Sequence, residues 1–377
     1  MREAKMSPSE FVKSANAYLD PERIRTARMR RGLTKVELAR MLSVTPRTIS
    51  KYEEGGAPTS VADGLGEALG FPDGYFSQDV PPSLSADEVR FRAARRTTAR
   101  ERSVAVASGI SGVEVDKWIS ARFALPVVDT PPFEGDNPRT AANLLREAWG
   151  LGTKPLPNLV QLCESRGIRV YTLPTVADAV DAFSIWRDDV PYVFLARRKS
   201  PERTRFDLAH ELGHLILHGN EGDSTAEQER EADSFASELL IPRDSIIEYV
   251  RSNPSVDEIL AARSAFKMSA MALTFAAHKA GRMTDWSYRQ ACIEFSKRGF
   301  RSSEPGGMPQ HEVSRVFPQV LGSTNFGGAK EIAADLDLPL EDVHALTFGV
   351  ELRTAKLSEP SVDETARRSH SRHLRVV

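Results

Sequence analysis

Apolar positions between residues 21 and 54 fall into three short blocks at helical spacing, each bounded by a cap and a breaker. Pro21 suits a first-turn position, Ile24 and Ala27 follow on one face, and Gly32 stops the run, which predicts a helix over 21–31. Thr34 stands three residues before Glu37, a capping-box spacing, and Val36, Leu38, Ala39 and Leu42 form a stripe, so a second helix is expected over 34–41. Thr45 is a cap, Pro46 again fits a first turn, Ile49 and Tyr52 point inward, and Gly55-Gly56 end a third helix over 45–54. Val61, Leu65, Leu69 and Phe71 belong to two more helices that close a small core. After Val80-Pro81-Pro82-Ser83, where adjacent prolines exclude helix, residues 84–123 are helix-compatible, including the arginine-rich Phe91-Arg92-Ala93-Ala94-Arg95-Arg96. Short strands are expected at Ile168 to Leu173, Ala182 to Trp186 and Tyr192 to Leu195. They precede two amphipathic helices, over 206–218 and over 229–242, the second ended by Pro242. Further helix is predicted through 251–290 and at 329–336, and the polar stretch 359–377 is expected to be disordered.

Two short helices joined by a tight turn make a helix-turn-helix, whose second member lays its first side chains in the DNA major groove. Residues 21–52 hold nine basic side chains against two acidic ones, whereas the whole chain carries −2, which leaves −9 for the rest. The near-neutral total is a cancellation between segments. Residues 88–102 carry six arginines against two glutamates, expected to form a solvated or docking face, and residues 221–238 carry seven acidic residues against one arginine. Leu33-Thr34-Lys35-x-Glu37-Leu38-Ala39, followed by Val44-Thr45-x-x-Thr48-Ile49-Ser50-x-Tyr52-Glu53-x-Gly55, resembles the Cro/lambda-repressor-like (XRE-type) DNA-binding domain. Ser43 occupies a turn position where that family commonly has glycine. The resemblance implies a five-helix domain that binds double-stranded operator DNA, with a homodimer expected because one module reads only a half-site. By position in the motif, Pro46, Arg47 and Lys51 face base edges, and Lys35, Thr45 and Thr48 meet phosphates.

The second half carries different chemistry. His210-Glu211-Leu212-Gly213-His214 lies within the helix predicted over 206–218, and on a helix residues i and i+4 share a face. His210 and His214 are thereby set to bind one cation, with Glu211 beside them as general base, a pattern that suits zinc. A third ligand is required, and Glu229 and Asp233, four apart on the next helix, share the face of Ala232 and Ala236. Glu229 is taken as ligand and Asp233 as the carboxylate that orients a ligand histidine. Glu231 is expected to point away from that face, and His218 to take a supporting role. Tyr192, Arg197 and His218 are open candidates for stabilising an oxyanion. HELGH paired with ExEADxFAxELLxP resembles the ImmA/IrrE family of metallo-endopeptidases over about residues 137 to 250. That resemblance implies a small α/β gluzincin-like domain, zinc held by two histidines and a glutamate, and cleavage of repressor-like proteins.

Composition adds limits. The chain has 377 residues, 41% hydrophobic and 27% charged, which excludes collagen-like and wholly disordered classes and allows two or three domains. No apolar run is long enough to span a bilayer, Met1 to Glu10 lacks the apolar core of a signal peptide, and Cys163 and Cys292 are too few for a disulfide framework. A cytoplasmic location without membrane contact is expected. The fold class expected is mainly α with a small α/β part: a lambda-repressor-like domain over 1–79, a linker and helical connector over 80–135, and a zinc peptidase domain with a small sheet over 136–281. A helical C-terminal region over 282–357 and a tail follow. The function expected is a DNA-binding transcriptional regulator whose zinc endopeptidase domain cleaves a repressor, an antitoxin-like protein or itself. The alternative is a regulator whose zinc domain is a non-proteolytic sensor or interaction scaffold.

Overall fold

The computed structural model describes residues 18–350, apart from 83, 85–89, 94–97, 132, 134–136, 175–179, 220–224, 301–303, 305 and 324–325. It is mainly α-helical, with one small mixed sheet. Residues 18–79 form the first unit, in which a two-residue ladder of β1 (Tyr18–Leu19) with β2 (Ala57–Pro58) ties together α1 (Pro21–Arg30), α2 (Lys35–Met41), α3 (Pro46–Gly55) and α4 (Ala62–Leu69). The fifth expected helix is a 3₁₀ segment, Asp73–Ser77, which buries Tyr75 and Phe76. Local chemistry sets the helix starts. The Asp20 side chain accepts from the Arg23 N–H, Thr34 and Glu37 make a reciprocal capping box, and Thr45 accepts from the Thr48 N–H. Ser43 in the turn has φ 54°, the left-handed region that an L-residue with a Cβ enters at a cost.

The connector does not follow the helical reading throughout. β3 (Arg90–Ala93) is extended, and only α5 (Ala99–Ser120) is helix, started by a Thr98–Glu101 capping box. The alternation Arg-Phe-Arg-Ala has the period of a strand, and pairing with a distant strand satisfies its backbone where local propensity is indifferent. Residues 94–97 of the arginine-rich run lie outside the described residues, as does the expected tail over 359–377.

α5 is the axis of the molecule. It is buried without interruption from Val104 to Asp116 because it is covered by α1 on one side and by the sheet on another. The sheet has the order β3-β5-β6-β4, built with β4 (Arg169–Thr172), β5 (Val180–Arg187) and β6 (Val190–Leu195). β3 and β6 flank β5 antiparallel, and β4 runs parallel to β6. Phe183 and Phe194 stack at 4.6 Å and turn toward α5, where Gly109 and Gly112 make room. A Cβ on Gly112 would stand 2.4 Å from Phe194 Cε1. The same sheet face carries Tyr171 and Tyr192, whose hydroxyls donate to buried Asp116 at 3.0 and 2.9 Å.

α6 (Pro138–Ala148) and α7 (Leu159–Ser165) precede β4, and α8 (Pro201–Leu217) covers the other sheet face. Trp186 Nε1 donates to the Leu215 carbonyl at 3.1 Å and fastens α8 to β5. α9 (Ala226–Leu240) packs along α8, and α10 (Arg243–Tyr249), α11 (Val256–Phe266), α12 (Ala270–Lys279) and α13 (Asp285–Lys297) continue the helical layer. After α14 (Val316–Leu321) and α15 (Ala329–Asp335), α16 (Leu340–Leu346) returns the chain to α1. There Asp342 meets Arg30 at 3.1 Å and Arg31 at 3.0 Å. On the flank of α5, Glu114 meets Arg23 at 2.7 Å. The Arg30–Asp342 and Arg23–Glu114 pairs, both nearly closed to solvent, and the more exposed Arg31–Asp342 pair therefore clamp the N-terminal unit to the rest of the chain.

Candidate metal centre and nucleic-acid interface

α8 begins at Ser200, whose hydroxyl caps the Arg203 N–H, and runs against the sheet with almost every residue buried. That burial puts His210, Glu211 and His214 into a protein interior where only a partner justifies a polar side chain. The partner is α9. Gly213 lets it come close: a Cβ there would lie 3.1 Å from Phe235 Cδ1 and 3.2 Å from Ala232 Cα, so the small pair Gly213 and Ala232 sets the helix separation. At that separation Glu229 reaches both histidines, 3.4 Å to His210 Nε2 and 3.3 Å to His214 Nε2, while the two Nε2 atoms stand 3.0 Å apart. One ligand atom from each of the three residues lies within 4.8 Å of the others, a group that could hold a metal ion.

Surrounding groups orient these three. His210 Nδ1 is 2.9 Å from Asp233 Oδ1, and His214 Nδ1 is 3.1 Å from His218 Nδ1. His218 Nε2 is in turn 2.9 Å from Glu231 Oε2. Glu231, expected off the Glu229 and Asp233 face, is outside the group of three and meets His218 at the end of α8 instead. The Ser184 hydroxyl, on β5, donates to Glu211 Oε2 at 2.7 Å. Ser184 was not singled out from the sequence, although it is an isolated hydroxyl inside the buried run Ala182-Phe183-Ser184-Ile185.

Burial pushes the His214 imidazole down to about 4, with Glu229 opposing the shift, so His214 is neutral near pH 7. Burial alone would raise the Glu229 carboxyl, but the imidazoles of His210 and His214 outweigh it and hold the group below the usual carboxylate range. A neutral imidazole and an ionised carboxylate are the protonation states that metal binding requires. Two of the three oxyanion candidates are committed elsewhere: Tyr192 donates to Asp116 on the opposite sheet face, and Arg197 lies over the Phe348 ring. A cavity of about 860 Å³ opens beside Asp233, with Phe206, Met268, Met271 and Phe275 on its apolar wall and Lys279 and Arg230 among its charged groups.

In the N-terminal unit, Thr45, Pro46, Arg47 and Lys51 are exposed along the start of α3, and Thr48 is half-buried beside them. Arg47 and Lys51 make no ion pair among the described residues. The Thr45 hydroxyl is occupied by its capping bond and lies 2.9 Å from Thr48 Oγ1. Lys35 is half-buried, donating to Ser50 Oγ at 3.2 Å and standing 3.5 Å from Glu53 Oε2. Several other cations of the basic segment point inward: Arg28 to Glu53, Arg23 to Glu114, Arg30 and Arg31 to Asp342. No single described helix is long and apolar enough to cross a membrane.

Comparison with known proteins agrees with this division. A helix-turn-helix family model matches residues 24–63, and the IrrE N-terminal-like domain model matches residues 163–278. The chain is also similar to a protein of Archaeoglobus fulgidus whose name describes an HTH-type transcriptional regulatory protein, at 51% identity over 53 residues. The matched stretch is 14% of this chain and 17% of that relative's length.

Proposed function

From a chain that joins a helix-turn-helix domain to an IrrE N-terminal-like domain, we infer a sequence-specific DNA-binding regulator that carries a zinc-dependent endopeptidase and cleaves a repressor, an antitoxin-like protein or itself. The observation that carries the peptidase reading is the convergence of His210, His214 and Glu229 beside a buried Glu211 fixed by Ser184. The donor set fits zinc: two imidazole nitrogens and one carboxylate, the three-ligand set of hydrolytic sites that leave a position open. When bound, zinc supplies Lewis acidity that polarises the scissile carbonyl and acidifies a water at neutral pH.

The remaining steps belong to the chain. Glu211 accepts the proton of the attacking water and passes it to the leaving amine, and the Ser184 hydroxyl holds that carboxylate in position throughout. Asp233 orients His210, and the His218–Glu231 pair orients His214. The apolar-walled cavity beside Asp233 receives a substrate side chain next to the scissile bond. On the DNA side, Pro46, Arg47 and Lys51 meet base edges and Lys35, Thr45 and Thr48 meet phosphates, with two chains on two half-sites.

Metal analysis of the purified chain should find about one zinc per chain, lost in His210→Ala and retained in Glu211→Gln. If Glu211→Gln retains zinc and leaves regulation of the target promoter unchanged, the proteolytic reading fails and a sensor remains. Arg47→Ala should weaken operator binding by about 1–3 kcal/mol.

A further inference from the structure

The cavity of about 860 Å³ beside Asp233 has room for more than one side chain, since clefts of ~300–1,000 Å³ hold whole small ligands. Arg230, Asp233, Ser234 and Ser237 recur at helical spacing along one flank of α9, and Leu240 and Ile241 continue the row. A second wall comes from Met268 and from Met271, Ala272 and Phe275 on α12, and Phe206, one turn before His210 on α8, lines the cavity as well. Asp233 belongs to both places, because its Oδ1 is 2.9 Å from His210 Nδ1. The helix rises about 10 Å from Asp233 to Leu240, the length of about three extended residues. A chain lying in the cavity therefore stays close to a bond held at the metal group.

Apolar surface here is open to water. Phe275 is 48% exposed, and Met271, Ala272 and Phe206 are half-buried. Contiguous apolar surface of this kind marks a contact site, and methionine adapts to varied apolar shapes. Four exposed cations line the same cavity, Arg139, Arg230, Arg243 and Lys279, and none makes an ion pair among the described residues. Arg230 Nε donates to the Ala226 carbonyl of its own helix at 3.0 Å, and Lys279 Nζ lies 5.5 Å from the centroid of the Phe275 ring. Both carboxylates of the lining are engaged: Asp233 with His210, and Glu238 as acceptor from Asn143 Nδ2 at 3.4 Å and from the Arg243 N–H at 3.1 Å. Open apolar surface and a surplus of positive charge thus share one cavity.

We propose that this cavity selects protein substrates in which a large apolar residue is flanked by aspartate or glutamate, the apolar side chain resting against Met271 and Phe275 and the carboxylates meeting Arg139, Arg243 and Lys279. The proposal rests on the peptidase reading for its consequence, cleavage within about three residues of such a cluster, but its binding step is separable from hydrolysis. The unpaired cations also speed encounter with an acidic segment at low salt.

The test uses the full zinc-loaded chain in a Glu211→Gln background, where nothing is cleaved, and fluorescent synthetic peptides read by anisotropy. The first is Gly-Asp-Glu-Leu-Glu-Asp-Gly, the second has alanine in place of leucine, and the third has lysine in place of every acidic residue. The first should bind about tenfold more tightly than either of the others, and its affinity should fall as salt rises. Arg243→Glu combined with Lys279→Glu should weaken it about tenfold, and Phe275→Ala about fivefold; all three positions are exposed, so the fold is spared. Lys330→Glu, a charge reversal outside the cavity lining, should leave the affinity unchanged. Equal affinity for the three peptides, or for the parent and the cavity variants, overturns the proposal. Binding of dodecanoate without binding of the acidic peptide assigns the cavity to a small amphiphile and also overturns it, as does self-association that Phe275→Ala abolishes in a chain that binds no peptide. Should the peptides behave as expected while the Glu211-intact protein cleaves nothing, the hydrolytic reading fails and the binding site stands. Cleavage of a partner at bonds far from any apolar–acidic cluster, at a rate the Arg243→Glu and Lys279→Glu pair does not change, sinks only this inference.

Discussion

Removing Asp342 is the sharpest test of how the two halves of the molecule are joined. Its carboxylate stands 3.1 Å from Arg30 and 3.0 Å from Arg31, and the Arg30 side chain is only 1% exposed. Burial pushes the Arg30 guanidinium below its ordinary value, and Asp342 is the principal group working against that shift. Asp342→Ala would leave a charged guanidinium inside the protein without its carboxylate, which costs about 3–5 kcal/mol. With a urea m-value of about 3 kcal/mol per molar, at the upper end for small proteins, this moves the unfolding midpoint down by about 1 M or more. Urea titration followed by circular dichroism measures it. The argument concerns an uncompensated charge rather than the worth of the pair, so it makes a second demand. Combining Arg30→Met with Asp342→Leu, which replaces the pair by apolar side chains, should return stability to within about 1 kcal/mol of the parent. A loss below about 1 kcal/mol for Asp342→Ala would mean the pair behaves as a solvated surface bridge and would refute the reasoning.

Ser43→Gly should raise stability by about 1 kcal/mol, because φ 54° suits glycine, and a thermal melt should show it. Gly112→Ala should cost about 1–3 kcal/mol, since its Cβ would meet Phe194 Cε1 at 2.4 Å and the ring is locked in an aromatic stack; an unchanged melting temperature would contradict this. In the metal-free protein, His214 is held at about 4, below its unfolded value near 6.5, so its neutral form is favoured by folding. That contribution is present above about pH 6.5 and is lost as pH falls toward 4, and a His214→Phe variant should show a flatter stability profile over that window. Exposed Arg40, Arg47 and Lys51 with half-buried Lys35 bring about four cations against the DNA per module, whether at base edges or phosphates, so the slope of log K against log salt on a half-site should be about −3 to −4; a slope near −8 would mean that all nine cations of the segment reach DNA.

What the sequence made legible is what depends on neighbours in the chain. The caps at Thr34 and Thr45 lie within one turn of the groups they satisfy, and the helix starts follow. His210 and His214 share a face because four residues make about one turn, and Glu229 and Asp233 do so on the next helix. What escaped notice depends on partners far along the chain. β3 is four residues of sequence that favours no element, and its pairing partner lies beyond α7. Ser184 acquires its role only when α8 is laid across β5. Helical geometry fixes the Cβ direction of Glu231 but not the partner its long side chain finds, which is His218 on the neighbouring helix.

The basic segment shows the same limit in another form. Nine cations in a row of short helices read as one DNA-facing surface, but a sequence does not distinguish an arginine in water from one under a neighbouring helix. Here Arg23 and Arg30 are buried against carboxylates from α5 and α16, so part of the positive charge joins domains instead of meeting phosphates. The start of α3, with Arg47 and Lys51, remains exposed in this docked arrangement. Contacts run without a break from α1 through the Arg23–Glu114 pair to α5, and from α5 through Asp116 to Tyr171 and Tyr192 on the sheet that carries Ser184, so the exposed helix-turn-helix face and the candidate metal group belong to one packed body.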